Sequence, residues 1–246
     1  MKKRLDVLIK DKGLAKSRSR AERLIKKSLV EVEGKVIRES DKKVNIQSKI
    51  KIKSPLKYVS RGGDKLEKAL REFGVDVKGM TVIDIGSSTG GFTDCLLQKG
   101  ASRIYAVDVG KNQLDPSLKN NPKVLVYEET DIRKLGELNH LADLAVIDVS
   151  FISLILVLPK VKRLLKVTGK IIALIKPQFE VNKEELDKRG VVKSEEIRKK
   201  SFEKTKEWIK RNGFKILGAT VSPLKGEKGN VEYFLYLEIP LNKNSF

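Results

Sequence analysis

The hydrophobic positions of this chain change period several times, and each change marks an element. Leu5, Leu8 and Ile9 predict a short helix stopped by Gly13. Ala21, Leu24 and Ile25 share one face of a second helix over 17–27, where Ser19 and Glu22 have the spacing of a capping box. Val30, Val32, Gly34 and Val36 predict a hairpin, and Val44, Ile46, Ile50 and Ile52 alternate as further strand. Pro55 disfavours helix before it, so residues 53–59 read as a linker between domains at 1–57 and 58–246. Beyond it, Ser60 to Gly63 is expected as a flexible turn, and Lys65, Leu66, Ala69, Leu70 and Phe73 as an amphipathic helix ended by Gly74. From there β-branched runs at 81–85, 103–107, 124–127, 144–147, 171–175, 214–221 and 233–239 alternate with helical patterns such as 153–166 and 195–211. That alternation predicts an α/β fold with a mostly parallel sheet covered on both faces.

Charge separates the two regions further. The chain carries a net charge of +20, and residues 1–57 hold 19 Lys/Arg against 7 Asp/Glu, so +12 of it lies in the short first region. Such a balance points to a polyanionic partner, although Lys-rich surfaces also occur as a solvated adaptation to heat. On the second helix Lys16, Arg18, Arg20, Arg23, Lys26 and Lys27 lie opposite the apolar face and suit phosphate neutralisation. One cysteine, Cys95, excludes a disulfide within the chain and indicates a reducing compartment. The first residues are basic but have no sustained apolar core, and no run reaches the roughly eighteen apolar residues of a membrane span. A cytoplasmic protein that does not enter a membrane is expected.

Candidate chemistry centres on TVIDIGSSTGGFTDCLLQKG, residues 81–100, which reads as strand, glycine turn and helix. Gly86, Gly90 and Gly91 allow close backbone approach to a ligand at the carboxyl end of a strand, with Ser88 in the turn, Asp84 inside the strand and Phe92 opening the helix. An ordinary βα turn is the plain alternative. The next strand ends in Asp108, placed to accept hydrogen bonds from ribose hydroxyls. Asp131 is suited equally to an adenine amine or to capping the turn after it. Asp148 ends the fourth strand at the mouth of the sheet, and Lys176 follows an apolar run directly before Pro177, its stem held and partly desolvated. His140 has no companions suited to a metal, and none is expected.

The turn resembles motif I of the class I S-adenosylmethionine methyltransferases, and LDVLIKDKGLAKSRSRAERLIKKSLVEVEGKVI resembles an S-four type RNA-binding domain. Ser28 stands where that domain commonly has Gly, which implies an altered turn into the hairpin. Taken together, SRGGDKL, DIGSSTGGF, VDVGKNQL, VIDVSFISL, IKPQFE and SPLKGEKGNVEYF resemble the TlyA family of ribosomal RNA 2′-O-methyltransferases, also known as haemolysins. The resemblance implies a Rossmann-like, seven-stranded, mostly parallel sheet behind a small α+β RNA-binding domain. It also implies S-adenosylmethionine as cofactor, ribosomal RNA or ribosomal subunits as partner, and a cytidine ribose as the target of methyl transfer. By the same resemblance Lys65, Asp148, Lys176 and Glu232 form the Lys-Asp-Lys-Glu tetrad of FtsJ-like enzymes. Lys176 would partner the hydroxyl as base or as hydrogen-bonding orienter, with Lys65 the neighbouring cation. The basic loop with Lys188, Arg189 and Lys193 either closes over RNA or is solvated. Two other classes stay open: a non-catalytic RNA-binding or ribosome-assembly factor that retains the fold, and a membrane-active haemolysin, for which no sequence feature speaks.

Overall fold

The structure, a computed structural model, describes residues 1–239; the stretch 240–246, assigned above to the second domain, lies outside them. The chain divides into two compact units, one of Met1–Lys57 and one beginning at Tyr58. In the first, β1 (Lys2–Arg4) leads into α1 (Leu5–Asp11) and α2 (Arg18–Lys26), followed by β2 (Val30–Val32), β3 (Lys35–Val36), β4 (Lys43–Asn45) and β5 (Ile50–Ile52). Leu5, Leu8, Ile9, Ala21, Leu24, Ile25, Val30 and Val32 form its core. The alternating run read as one strand is two: β4 pairs with β1, and β5 pairs with β2, so they belong to different sheets. The cap of α2 also differs from expectation. Ser17, not Ser19, accepts from the Arg20 amide, and Glu22 pairs with Arg18 at 3.5 Å. Ser28 adopts a left-handed φ of 60°. Its amide donates to Ile25 O and that of Leu29 to Leu24 O, the paired bonds that close a helix when the residue after its cap turns left-handed.

The second unit contains α3 (Arg61–Glu72), β6 (Thr81–Ile85), α4 (Gly91–Gln98), β7 (Arg103–Val107), α5 (Pro116–Lys119), β8 (Val124–Tyr127), β9 (Ala142–Ile147), α6 (Leu158–Arg163), β10 (Leu165–Ile175), α7 (Glu195–Arg211), β11 (Lys215–Val221) and β12 (Tyr233–Glu238). Its sheet runs β11-β12-β10-β9-β6-β7-β8. The five strands from β8 to β10 are parallel, while β12 is antiparallel to both of its neighbours. Alternation along the strands divides the core. Ile83, Ile85, Tyr105, Val107, Ala145 and Ile147 pack with Val161 of α6 and Ile209 of α7. Val82, Ile104, Leu144 and Val146 pack with Leu66 and Leu70 of α3 and Leu96 of α4. The result is a three-layer α/β/α sandwich.

Two expectations need correction here. The 153–166 segment is a 3-10 turn at Leu154–Leu156 and a helix only over Leu158–Arg163, because β10 begins already at Leu165, where it pairs with Ala142 of β9. The turn expected at Ser60 to Gly63 is instead the start of α3, with Ser60 as its cap. Gly62 and Gly63 are tolerated inside this helix because α4 comes so near: a β-carbon on Gly91 would lie 3.0 Å from Gly62 Cα and 2.9 Å from Gly63 N.

Candidate functional site

The first turn of the site grows directly from β6. Its chain reverses at Gly86 (φ 82°), Ser88 (φ 47°) and Gly90 (φ 92°) before α4 begins. The amides of Gly86 and Ser87 both donate to Val107 O, at 2.8 and 3.1 Å, so the turn is tied to the end of β7. Asp108, the next residue of that segment, accepts from the Ser88 amide through Oδ2 and from the Gly110 amide through Oδ1, each at 2.7 Å. A β-carbon on Gly86 would lie 2.6 Å from Asp148 O, which brings the end of β9 against the same turn.

Three of the expected cofactor residues lie elsewhere than at the turn's open surface. Asp84 is completely buried beneath it, with Oδ2 accepting from Thr93 Oγ1 at 2.6 Å and Oδ1 without a hydrogen-bond partner. Burial, then the charge of Asp148, pushes its carboxyl up to about 7 against the pull of the Thr93 hydroxyl. Phe92 is buried against Phe234, ring centroids 6.2 Å apart. Asp131 caps the 3-10 turn Ile132–Lys134 through the Arg133 amide and also binds the Arg133 guanidinium, which holds its carboxyl below the ordinary range. Of the two roles weighed for Asp131, the cap is the one visible.

Lys65, Asp148, Lys176 and Glu232 come from four separate elements and form two ion pairs. Lys65 Nζ lies 2.5 Å from Glu232 Oε2, with side chains 9% and 2% exposed, so this pair is nearly sealed from water. Lys176 Nζ lies 2.7 Å from Asp148 Oδ1 and donates to Ser150 Oγ at 2.7 Å. Strand register explains the convergence. Ile175 of β10 faces Tyr233 of β12, so continuing that register by one step sets Lys176 beside Glu232. Asp148 follows β9 on the other side of β10. Because β12 is antiparallel, its beginning lies at the edge where the parallel strands end, the edge at which open α/β sheets bind ligands.

Several neighbours were not legible from residue type. Phe151 is 91% exposed, at a φ of 63° that costs a side-chain-bearing residue about 1–2 kcal/mol. Its ring meets Phe179 at 5.2 Å, and Lys176 Nζ lies 5.9 Å from the Phe179 centroid. Glu180 accepts from Ser153 Oγ and from the Leu154 amide, and burial pushes its carboxyl up. The loops after β9 and β10 are therefore cross-linked on both sides of the exposed ring. An exposed aromatic in VSF was the available signal. Farther along, the basic loop is fixed by Asn230, whose amide accepts from Val192 N and donates to Gly190 O, both at 3.0 Å.

In the first unit, Lys16, Arg18, Lys26 and Lys27 are exposed and Arg20 and Arg23 half-buried. Arg18 is partly committed to structure: its Nε donates to buried Asp6 at 2.7 Å. Burial alone would raise Asp6, but Arg4 and Arg18 hold it down at about 2. Among the described residues no group of His, Cys, Asp and Glu is suited to a metal, and no helix is long and apolar enough to cross a membrane.

A seven-stranded sheet with one antiparallel strand inserted near its edge, and acids at the carboxyl ends of β7 and β9 beside a glycine turn, defines a Rossmann-like methyltransferase fold. The same fold occurs in an S-adenosylmethionine dependent methyltransferase from Mesorhizobium loti, 16% identical, with a TM-score of 0.53 over 70% of this chain and 96% of that one. Residues 58–239 match the FtsJ-like methyltransferase family and residues 3–50 the S4 domain. A protein described as a hemolysin from Streptococcus thermophilus is 40% identical, with a TM-score of 0.74 covering 99% of this chain and 91% of that chain. The 16S/23S rRNA (cytidine-2′-O)-methyltransferase TlyA of Mycobacterium tuberculosis is 39% identical over 95% of this chain and 89% of its own length. This chain belongs to the TlyA family of FtsJ-like methyltransferases with an S4 domain.

Proposed function

We propose that this protein transfers a methyl group from S-adenosylmethionine to a ribose 2′-hydroxyl of ribosomal RNA, in the cytoplasm, with a cytidine as target. The observation that carries the reading is the convergence of the Lys65–Glu232 and Lys176–Asp148 pairs at the sheet edge that bears the glycine turn. The donor set around that turn fits the cofactor. Asp108 accepts one amide proton on each oxygen and keeps acceptor capacity for two adjacent hydroxyls. Val109, 72% exposed beside it, offers an apolar surface. Gly86, Ser88, Gly90 and Gly91 shape the backbone there, with Asp84 and Phe92 supporting them from within and Asp131 at the neighbouring loop. S-adenosylmethionine, when bound, supplies an electrophilic methyl group on a sulfonium.

The protein's own task is then to hold a weak nucleophile in line. An ammonium group has three donors; Ser150 takes one from Lys176, while Asp148 Oδ1 pairs with its charge at 2.7 Å, which leaves a donor for the ribose oxygen. Lys176 in this role orients the hydroxyl and stabilises the negative charge that develops on its oxygen as the proton passes to water. Asp148 fixes the lysine, while Lys65 and Glu232 form a shielded second pair at the start of the strand beside it. Phe151 presents an open ring to a base turned out of its helix, a stacking contact worth about 1–3 kcal/mol. The basic face of α2, with Lys16, Arg18, Arg20, Arg23, Lys26 and Lys27, binds phosphates of structured RNA.

The test is transfer of labelled methyl from S-adenosylmethionine to naked ribosomal RNA, isolated subunits and ribosomes, with wild type beside Lys176→Ala. Wild type is expected to yield alkali-resistant 2′-O-methylnucleotide, and the variant to be slower by about 10²–10⁴. A folded wild type that binds S-adenosylmethionine yet labels no RNA would overturn the reading in favour of an assembly factor.

A further inference from the structure

Glu128 follows β8, outside the tetrad and the glycine turn, yet four donors converge on it. Its Oε1 accepts from the amides of Gln113 and Leu114 at 2.8 and 3.0 Å. Its Oε2 accepts from the Asn112 amide at 2.9 Å and from Lys119 Nζ at 2.8 Å. The Leu114 amide first, then Lys119 and the remaining amides, hold the carboxyl down at about 2, so it is an anion at any working pH.

The loop that Glu128 grips is a wall of the proposed cofactor site. Leu114 and Leu118 press on the glycine turn so closely that a β-carbon on Gly90 would lie 2.8 and 2.2 Å from their methyl carbons. The Asp115 amide donates to Thr89 O at 3.3 Å. At the loop's other end, Glu129 N donates to Gly110 O and Thr130 N to Asp108 O, at 3.0 and 2.9 Å. Asn112, which Glu128 grips, and Glu129, which follows it, have left-handed backbone, φ 51° and 52°, a shape that surrounding bonds help to hold.

We infer that Glu128 is a positioning residue for the cofactor site: its carboxylate gathers the amides of residues 112–114 and thereby sets both the Leu114 wall against Gly90 and the loop that carries Asp108. The inference rests on the S-adenosylmethionine reading of that site. Glutamine is an informative replacement because it has only one acceptor oxygen. Whichever way its amide is turned, an NH₂ faces either Gln113 and Leu114 or Asn112 and Lys119, donor against donor.

The experiment measures S-adenosylmethionine affinity by equilibrium dialysis, alongside kcat at saturating cofactor and RNA affinity, for wild type, Glu128→Gln, Glu128→Asp and Lys119→Met. Glu128→Gln is expected to weaken cofactor binding by about 10- to 100-fold, the scale of one lost charge-assisted hydrogen bond. Its kcat at saturation and its RNA affinity stay within about threefold of wild type, a split that general loss of stability does not produce. Glu128→Asp, which keeps the charge but withdraws it by one methylene, falls between, and it remains informative if Glu128→Gln does not fold. Lys119→Met keeps the three amide bonds but removes one charged donor from Glu128, so its cofactor affinity falls between those of wild type and Glu128→Gln. Unchanged cofactor affinity in folded Glu128→Gln or Glu128→Asp overturns the inference. Failure of the wild type itself to bind S-adenosylmethionine would instead overturn the cofactor reading.

Discussion

Replacing Asp84 by Asn would make the large unit's stability less dependent on pH, and by an amount that can be worked out. Asp84 is wholly buried, its carboxyl is pushed up to about 7 from an ordinary 3.8, and burial is the largest cause. Between those values the folded protein keeps a proton that the unfolded chain has released. Stability from this group is therefore complete below about pH 4 and is lost as pH rises through 7, by about 1.4 kcal/mol per unit and roughly 4 kcal/mol in all. Asn has no proton to lose, and the Thr93 hydroxyl, both donor and acceptor, can satisfy either end of its amide. Urea unfolding is the suitable assay because it leaves ionic strength unchanged. Trp208, the single tryptophan, packs on the core beneath α7, so its fluorescence reports the large unit alone. Relative to Asp84→Asn, the wild type should lose roughly 3 kcal/mol between about pH 5 and pH 8. Curves that stay parallel across that range would refute the reasoning.

Other perturbations separate structural from functional roles. Glu232→Gln leaves the Lys65 charge sealed without its partner and should destabilise the large unit by about 3–5 kcal/mol, whereas Lys65→Met with Glu232→Leu should recover most of that stability in the same urea assay but no methyl transfer. Ser28→Gly removes a left-handed strain of about 1 kcal/mol while giving up the 2.8 Å bond from Arg38 Nε to Ser28 Oγ, so unfolding of the small unit by circular dichroism should show a net gain below 1 kcal/mol. Arg18→Ala removes a partner of buried Asp6 and should cost the small unit about 1–3 kcal/mol. Lys26→Ala should leave stability alone and lower the salt-dependence slope of RNA binding by about one, measured by filter binding across salt concentrations.

The sheet was legible wherever side chains had to choose a face. β6, β7, β9 and β12 carry β-branched or aromatic runs that pack on both sides, and α7 runs from Glu195 to Arg211 as its pattern predicts. β1 was not legible, because Lys2–Arg4 is a polar stretch joined to β4 through its backbone. The start of α3 was misread for a different reason: a Gly-Gly pair favours a turn locally, but only those residues let α4 approach so near. In the site, Asp148 and Lys176 stood out as charges at strand ends, while Lys65, on α3, and Glu232 were singled out by the resemblance to FtsJ-like enzymes. Ser150, Glu180 and Glu128 could not be found that way. Their importance lies in backbone amides and loop crossings that have no periodic signature.

Among the described residues β12 is the last strand of the sheet in chain order, yet it lies second from the edge, between β10 and β11. During synthesis β10 therefore waits with one side unpaired, and β11 has no sheet to join, until β12 emerges and slides between them. Glu232 arrives with it, as the residue just before the strand. Until β12 has joined the sheet, Lys65 therefore lacks its counter-charge, and the set of four charged residues is complete only with the last strand in place.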